Sequence, residues 1–354
     1  MTPTTHGLKS GDFMVFQFRK NRVRRAYIGG SRIDRFTNST ASEQCPEEWL
    51  ASSVAAFNPD YSFIENEGIS TLLDGRLFSD VLEEHAREIL GERLYARHEG
   101  KLAILVKLLD SAERLVIQCH PTVPFAKEHF GSNFGKTECW YFLDTAPDAC
   151  VYLGFKNGIT RAHWEDLFAR QDVDGMLNCL HKIPVKKGDL WFVDGGIPHA
   201  IGAGCFMIEL QEPSDLMVIP ERATPSGRVL SEQKLHGGLG FEKMFDCFDY
   251  QGYSLSELQQ KYHRSAAFAD NEMTAIVDET LTDKFSMQSL RVCGSMEINL
   301  GDRYAVGVIT EGACRLQCEG EEPLNLEKGN SFFIAANSGT LCFDAQAEII
   351  VCTA

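Results

Sequence analysis

Apolar runs with a period of two or none alternate with a few stretches of helical period. Leu115-Val116-Ile117 opens one such run and reads as a buried strand. It delivers Gln118 and His120, which point to one face because they stand at i and i+2. Pro121 stops the ladder, having no N–H to donate. Gly135-Lys136-Thr137 then leads into a second apolar and aromatic run that carries Glu138. Lys101 to Leu109 reads as another buried strand with one internal charge, Lys107. Val185 to Gly202 alternates turn, strand and turn and ends on His199.

Helical spacing is confined to short stretches. Val81-Leu82, Ile89-Leu90 and Leu94-Tyr95 form a stripe that predicts a helix over about 76–98, starting near Ser79-Asp80 and tolerating Gly91 at modest cost. His163 to Phe168 and Met176 to Leu180 predict a small helical insertion over about 160–180. Ser254 and Glu257 have capping-box spacing. Phe13 to Phe18 reads as a first strand, and the basic run Lys20 to Arg25 as a solvated face, with a phosphate-facing cluster as the alternative. Periodicity lapses over 266–279, and the remainder is β-like. Within it, Lys328-Gly329-Asn330 and the apolar residues after it repeat Lys187-Gly188-Asp189 and its strand; in that register Thr340 falls opposite His199. The expected fold is mainly β, two small barrels with short helical insertions. Residues 1–265 form the first domain and 266–354 a degenerate, structural second barrel.

Composition narrows the partners. Lys and Arg total 34 against 50 Asp and Glu, a formal charge of −16 over 354 residues. Such a chain repels nucleic acid and anionic membranes, and an anionic substrate needs a local basic pocket. The N-terminus has no apolar leader, and no run approaches membrane-spanning length. The twelve cysteines are scattered without a C-x-x-C, as expected of reduced thiols in a cytoplasmic protein.

Gln118, His120, Glu138 and His199 together offer an amide oxygen, two imidazoles and a carboxylate, a set suited to Zn²⁺ and open to Mn²⁺, Fe²⁺ or Co²⁺. Spacing alone leaves packed, non-ligating histidines as the other reading. The pieces V-K-L-L-D (106–110), Q-C-H-P (118–121), G-K-T-E-C-W-Y (135–141), K-G-D-L-W-F-V-D-G-G-I-P-H-A-I-G-A-G (187–204) and I-E-L-Q-E-P-S-D (208–215) resemble, in order, the signature of the class I mannose-6-phosphate isomerases, cupins of which this chain matches the short form. The resemblance implies that the two small barrels make a bicupin, with one zinc per chain on those four residues, and a metal-dependent aldose–ketose isomerase that passes through an enediolate. Its substrate would be a small sugar phosphate. It implies Glu209 as the candidate base, with Lys136 and Lys107 against sugar or phosphate oxygens. Pro46-Glu47-Glu48-Trp49 resembles the family's early E-x-W segment, which adds Glu48 as a substrate contact. One position departs: where the family usually carries an arginine four residues after the S-D pair, this chain has Ile219. Arg222 is the expected replacement, Arg228 a poorer one. The departure keeps other readings open: an isomerase of a different aldose, a non-catalytic sugar-binding cupin, or a cupin oxygenase. Oligomeric state is left open.

Overall fold

The computed structural model describes residues 14–354, so Phe13 and the residues before it lie outside the described part. The molecule is mainly β, and its paired strands run antiparallel in three sheets. The first is seven-stranded, in the order His263–Ser265, Asp189–Val193, Glu138–Thr145, Cys205–Gln211, Leu105–Asp110, Glu47–Leu50, Arg22–Val23. A three-stranded sheet orders Leu180–Pro184, Cys150–Phe155 and His199–Ile201. The third sheet, again seven-stranded, is built on the long strands Ser286–Ile298, Ala305–Cys318 and Leu341–Thr353. The expected β-rich C-terminal part is therefore present, with Ser331–Ile334 following the turn at Lys328-Gly329. Gly188 and Gly329 take the same left-handed conformation, φ 88° and 84°, which a residue without Cβ adopts at no steric cost.

The N-terminal segment crosses the expected division at 265/266. Val15–Phe16 pairs with Ser331–Ile334 and so belongs to the third sheet. Phe16 sits against Phe78 and Phe333, with ring centroids 6.1 and 5.9 Å away. One cluster of buried apolar residues runs from Trp140 and Trp191 through Phe78 to Tyr304, Phe333 and Cys352. Residues on both sides of 266 thus share one core.

Two local expectations need correction. The stripe over 76–98 forms two helices, Phe78–Leu90 and Glu92–His98, because Gly91 at φ 79°, ψ 158° is not helical. The carboxylate of Asp302 accepts from the backbone N–H groups of Glu92 and Arg93 at 3.0 and 3.1 Å, and so caps the second helix. Leu115 to Ile117 is buried but forms no regular strand. Its backbone donors go to different partners, Leu115 N to Ile201 O and Ile117 N to the Glu221 carboxylate. The insertion over 160–180 forms as the helices Arg161–Arg170 and Val173–Asn178, and the Ser254–Glu257 capping box is made.

Candidate active site and metal centre

The site begins with a row across the first sheet. Trp49 stands opposite Lys107, Lys107 opposite Glu209, and Glu209 opposite Trp140, so the four side chains share a face. Lys107 Nζ lies 2.8 Å from Glu209 Oε2 and 3.6 Å from Glu47 Oε2. Burial works against its charge, but these two carboxylates more than offset it and raise the ammonium above its ordinary value. Trp140 Nε1 donates to Glu138 at 3.0 Å and to Glu209 at 3.3 Å, tying the row to the next residue pair along the strand.

A mutual backbone pairing brings the facing ligands in. Gln118 and His199 exchange both N–H···O bonds at 2.9 Å, and this isolated bridge sets Gln118, His120 and His199 over Glu138. Cys119, between Gln118 and His120, points into a separate apolar cluster, as the alternation requires. Ligand atoms of His120, Glu138 and His199 all lie within 4.8 Å of one another, and the three side chains are buried. His120 Nδ1 donates to Leu216 O and His199 Nδ1 to Ile197 O, each at 2.9 Å. Both Nε2 lone pairs are thereby turned inward, the tautomer that ligates metal. Burial, then the Lys136 charge, lowers His120 to about 4, and burial lowers His199, so both imidazoles are neutral near pH 7. Burial opposes ionisation of Glu138, yet the Lys136 charge holds its carboxyl well below the usual range.

These donors fit a divalent ion. His120 Nε2 is 3.2 Å from Glu138 Oε2, and His199 Nε2 is 3.3 Å from Glu138 Oε1 and 3.2 Å from the Gln118 amide. Ligands at about 2.0–2.1 Å from a tetrahedral centre stand roughly 3.3 Å apart. Turning the Gln118 amide about its last bond presents its oxygen instead of its nitrogen. The set already attracts a cation: Lys136 Nζ is 2.7 Å from both His120 Nε2 and Glu138 Oε2.

A cavity opens beside this cluster, lined among others by Gln118, Lys136, Lys107, Glu209, Glu47 and Arg25. Of the residues expected from sequence, Gln118, His120, Glu138, His199, Lys136, Lys107 and Glu209 are brought together here. Two are not. Glu48 faces the other side of its strand, pairs with Lys20 at 3.8 Å and leaves Oε2 without a partner. Its neighbour Glu47 occupies the site instead, accepting from Arg25 Nε (3.1 Å), Tyr27 Oη (2.9 Å) and Trp49 Nε1 (2.7 Å). Arg222 is exposed, its guanidinium over the rings of Phe168 and Phe241 at 4.9 and 4.8 Å. Glu221 turns inward to Arg114 and the Ile117 N–H, so the next side chain is sent outward. Arg228 lies over Tyr61 at 3.9 Å and does not line the cavity either.

Sequence reasoning missed Tyr27, Asp215 and Lys234, and reached Arg25 only through the alternative reading of its basic run. In the structure Val23, Arg25 and Tyr27 are buried and alternate with less buried residues. Arg25 is buried rather than part of a solvated face. Its guanidinium meets both oxygens of Asp215, at 2.8 Å for the Nη1–Oδ2 pair.

The chain was compared with known proteins. Residues 278–354 match the family described as "Mannose-6-phosphate isomerase, cupin domain". A candidate mannose-6-phosphate isomerase of Bacillus subtilis, YvyI, is 30% identical over 335 residues, covering 91% of this chain and 94% of that protein. The chain belongs to the mannose-6-phosphate isomerase family. The mannose-6-phosphate isomerase ManA of the same organism is 26% identical over 324 residues, covering 91% and 94% of the two chains. Among solved structures, a B. subtilis mannose 6-phosphate isomerase aligns with a TM-score of 0.73 at 21% identity, over 96% of this chain and 99% of that one. The cupin-domain match and the alignment with that structure over 96% of this chain support a cupin fold for this mainly β chain.

Proposed function

We propose that this protein interconverts mannose 6-phosphate and fructose 6-phosphate at the cavity beside His120, Glu138 and His199. The observation that carries the reading is the Lys107–Glu209 pair facing that cavity next to a buried two-histidine, one-carboxylate cluster, in a chain of this family. Gln118, His120, Glu138 and His199 would hold the ion, which we assign as Zn²⁺, one per chain. When bound, it supplies Lewis-acid stabilisation to charge developing on the sugar oxygens.

Glu209 serves as the base. It takes the hydrogen on C2 as a proton, the C–H pair becomes the C1–C2 double bond, and the carbonyl pair moves to O1. Return of that proton to C1, with O1 gaining the proton that O2 loses, completes the ketose. Lys107 holds the Glu209 carboxylate by its 2.8 Å ion pair and sets a positive charge beside the enediolate. Lys136, which also lines the cavity, is placed to donate to a sugar oxygen. Glu47 holds Lys107 and Arg25 in place.

The fold reading that accompanies this is a bicupin, with the catalytic barrel in 1–265 and the repeated Gly-turn hairpin in 266–354 as a second, structural barrel. All twelve cysteines are free thiols, which supports work in the cytoplasm. Among the described residues no helix is long and apolar enough to cross a membrane.

The test is a coupled assay for fructose 6-phosphate from mannose 6-phosphate, run beside elemental analysis. Wild type should turn over and carry close to one divalent ion per chain. Glu209→Gln should retain the ion and lose about 100-fold or more in kcat. His199→Ala should lose both ion and turnover. Full activity in Glu209→Gln would remove the base assignment, and full metal content in His199→Ala would remove the ligand set.

A further inference from the structure

Lys136 is carried to the His120–Glu138–His199 cluster by a segment that belongs to no strand. Gly135, Lys136 and Thr137 precede the strand Glu138–Thr145, so its ladder of paired residues does not reach them. A carboxylate fills that role. Glu212 Oε1 accepts from the Gly135 N–H at 3.2 Å, and Oε2 accepts from the Thr137 N–H at 2.9 Å. The two bonds fall on either side of Lys136, whose own N–H goes to Pro121 O at 3.0 Å. Ser214 Oγ donates to Gly135 O at 2.5 Å, and the Glu212 N–H to Thr137 O at 3.0 Å. Gly135 has no room to shift, since a Cβ there would stand 2.6 Å from Pro121 O and 2.8 Å from Val123 N. Three consecutive residues are thus fixed, with Lys136 in the middle.

Glu212 is 4% exposed, and a buried carboxylate needs a counter-charge. Lys284 provides it. Its Nζ lies 3.1 Å from Glu212 Oε2 and also donates to Thr137 Oγ1. Lys284 stands just before the strand Ser286–Ile298, so this ion pair ties the C-terminal part to the lysine of the cavity. The mount of Glu212 is equally fixed. Gln211 Nε2 donates to the carbonyl oxygens of Glu212 and Ser214 at 3.0 and 2.7 Å. Gln211 is itself paired with Glu138, so Glu212 follows directly on the register that carries a metal-type ligand. An amide at position 212 would keep the size, but only a carboxylate offers a separate acceptor oxygen to each N–H.

We propose that Glu212, with Lys284 as its counter-ion, is a positioning residue that fixes Lys136 for its contact with the sugar. The inference rests on the isomerase reading above, in which Lys136 donates to a sugar oxygen. Neither Glu212 nor Lys284 lines the cavity, and Glu212 acts on Lys136 through the backbone on its two sides. Placement matters because a long, flexible ammonium side chain stabilises developing charge only where its backbone is already set. The C-terminal part thereby reaches the chemistry through placement of a side chain it does not carry.

The test uses the full-length, metal-loaded protein and its variants Glu212→Gln, Lys284→Met and Lys284→Arg, with Glu212→Gln also made in a Lys136→Met background. Two readouts are needed. One is kcat and KM for mannose 6-phosphate, and the other is backbone hydrogen exchange at Gly135 and Thr137 without substrate. Glu212→Gln should lower kcat about tenfold with KM within about twofold and the ion retained, the pattern of a misplaced group rather than a lost binding contact. Exchange at both amides should quicken at least about tenfold. In the Lys136→Met background the same substitution should cost less than about twofold in kcat, because the group it places is gone. Lys284→Met should move both readouts the same way by a smaller factor, about threefold, and Lys284→Arg should restore them. These two are the measured variants if the glutamine chain does not fold. An equal loss of kcat with and without Lys136 would overturn the proposal. If no chain isomerises mannose 6-phosphate, the isomerase reading fails and exchange decides alone: faster exchange in Glu212→Gln keeps the clamp on Lys136, and unchanged exchange removes it. If wild type turns over and Glu212→Gln matches its kcat, the isomerase reading stands and the positioning role is overturned.

Discussion

At the scale of single residues, a period of two decides which acid enters the site. Glu47 and Glu48 are neighbours on one strand, and only Glu47 shares the face of Trp49 and Lys107. The E-x-W spacing already encodes this, because the glutamate two before Trp49 is Glu47. Arg25 and Asp215 make the same point across 190 positions: no local pattern links them, yet the pair is buried and anchors the wall of the cavity. Burial opposes the Asp215 charge, but Arg25 holds its carboxyl well below the usual range. A depressed carboxyl contributes stability that is complete above the unfolded value, about pH 4, and is lost as pH falls toward the folded value. Asp215→Asn should therefore destabilise the protein by about 3 kcal/mol or more at pH 7, since it leaves Arg25 short of a counter-charge. Denaturant titrations of both chains should show the gap narrowing below about pH 4; a gap that widens in acid would contradict the pairing.

At the scale of elements, the helical stripe was legible and its interruption was not. Val81 to Leu94 has one apolar face throughout, so periodicity alone describes one helix. The break arises because Asp302, more than two hundred residues away, supplies the cap for a helix that starts anew at Glu92. A Cβ on Gly91 would come within 2.2 Å of Asp302 Oδ1, and the residue's φ of 79° strains any other side chain. Asp302→Ala should cost about 1 kcal/mol, the usual worth of a helix cap. Gly91→Ala should cost more, because it adds backbone strain to the displaced cap. Urea unfolding followed by circular dichroism measures both, and Gly91→Ala as stable as wild type would show that the second helix does not need this break. The run Leu115 to Ile117 teaches the converse. Its apolar pattern was read correctly as buried, but its backbone donors go to a strand end and a side chain, which pattern cannot reveal.

At the scale of the whole molecule, the two halves behave as one packed body rather than as beads on a string. Val15–Phe16 closes the edge of the C-terminal sheet, and Phe16 sits between Phe78 and Phe333. Phe16→Ala should lower stability by about 3 kcal/mol, as for a buried phenylalanine replaced by alanine. The loss should shift a single unfolding transition in calorimetry, with the C-terminal part and the active-site part melting together. Two separated transitions in wild type would show that the shared core is not what couples them.

The sequence by itself determined the β-rich class, the short helices and the metal-type donors, because those follow from local spacing and from chemistry that only certain side chains offer. The order Gln118, His120, Glu138, His199 could be read as a ligand set, and the relatives bear out the family that order resembles. Tertiary structure alone decided which charges are partners. Arg222, expected inside, was sent out by Glu221, while Arg25 and Lys234, from opposite ends of the first two-thirds of the chain, were brought to one cavity. Convergence of this kind depends on how strands and loops are paired in space, and the energy of a buried charge is set by what surrounds it rather than by its neighbours in sequence.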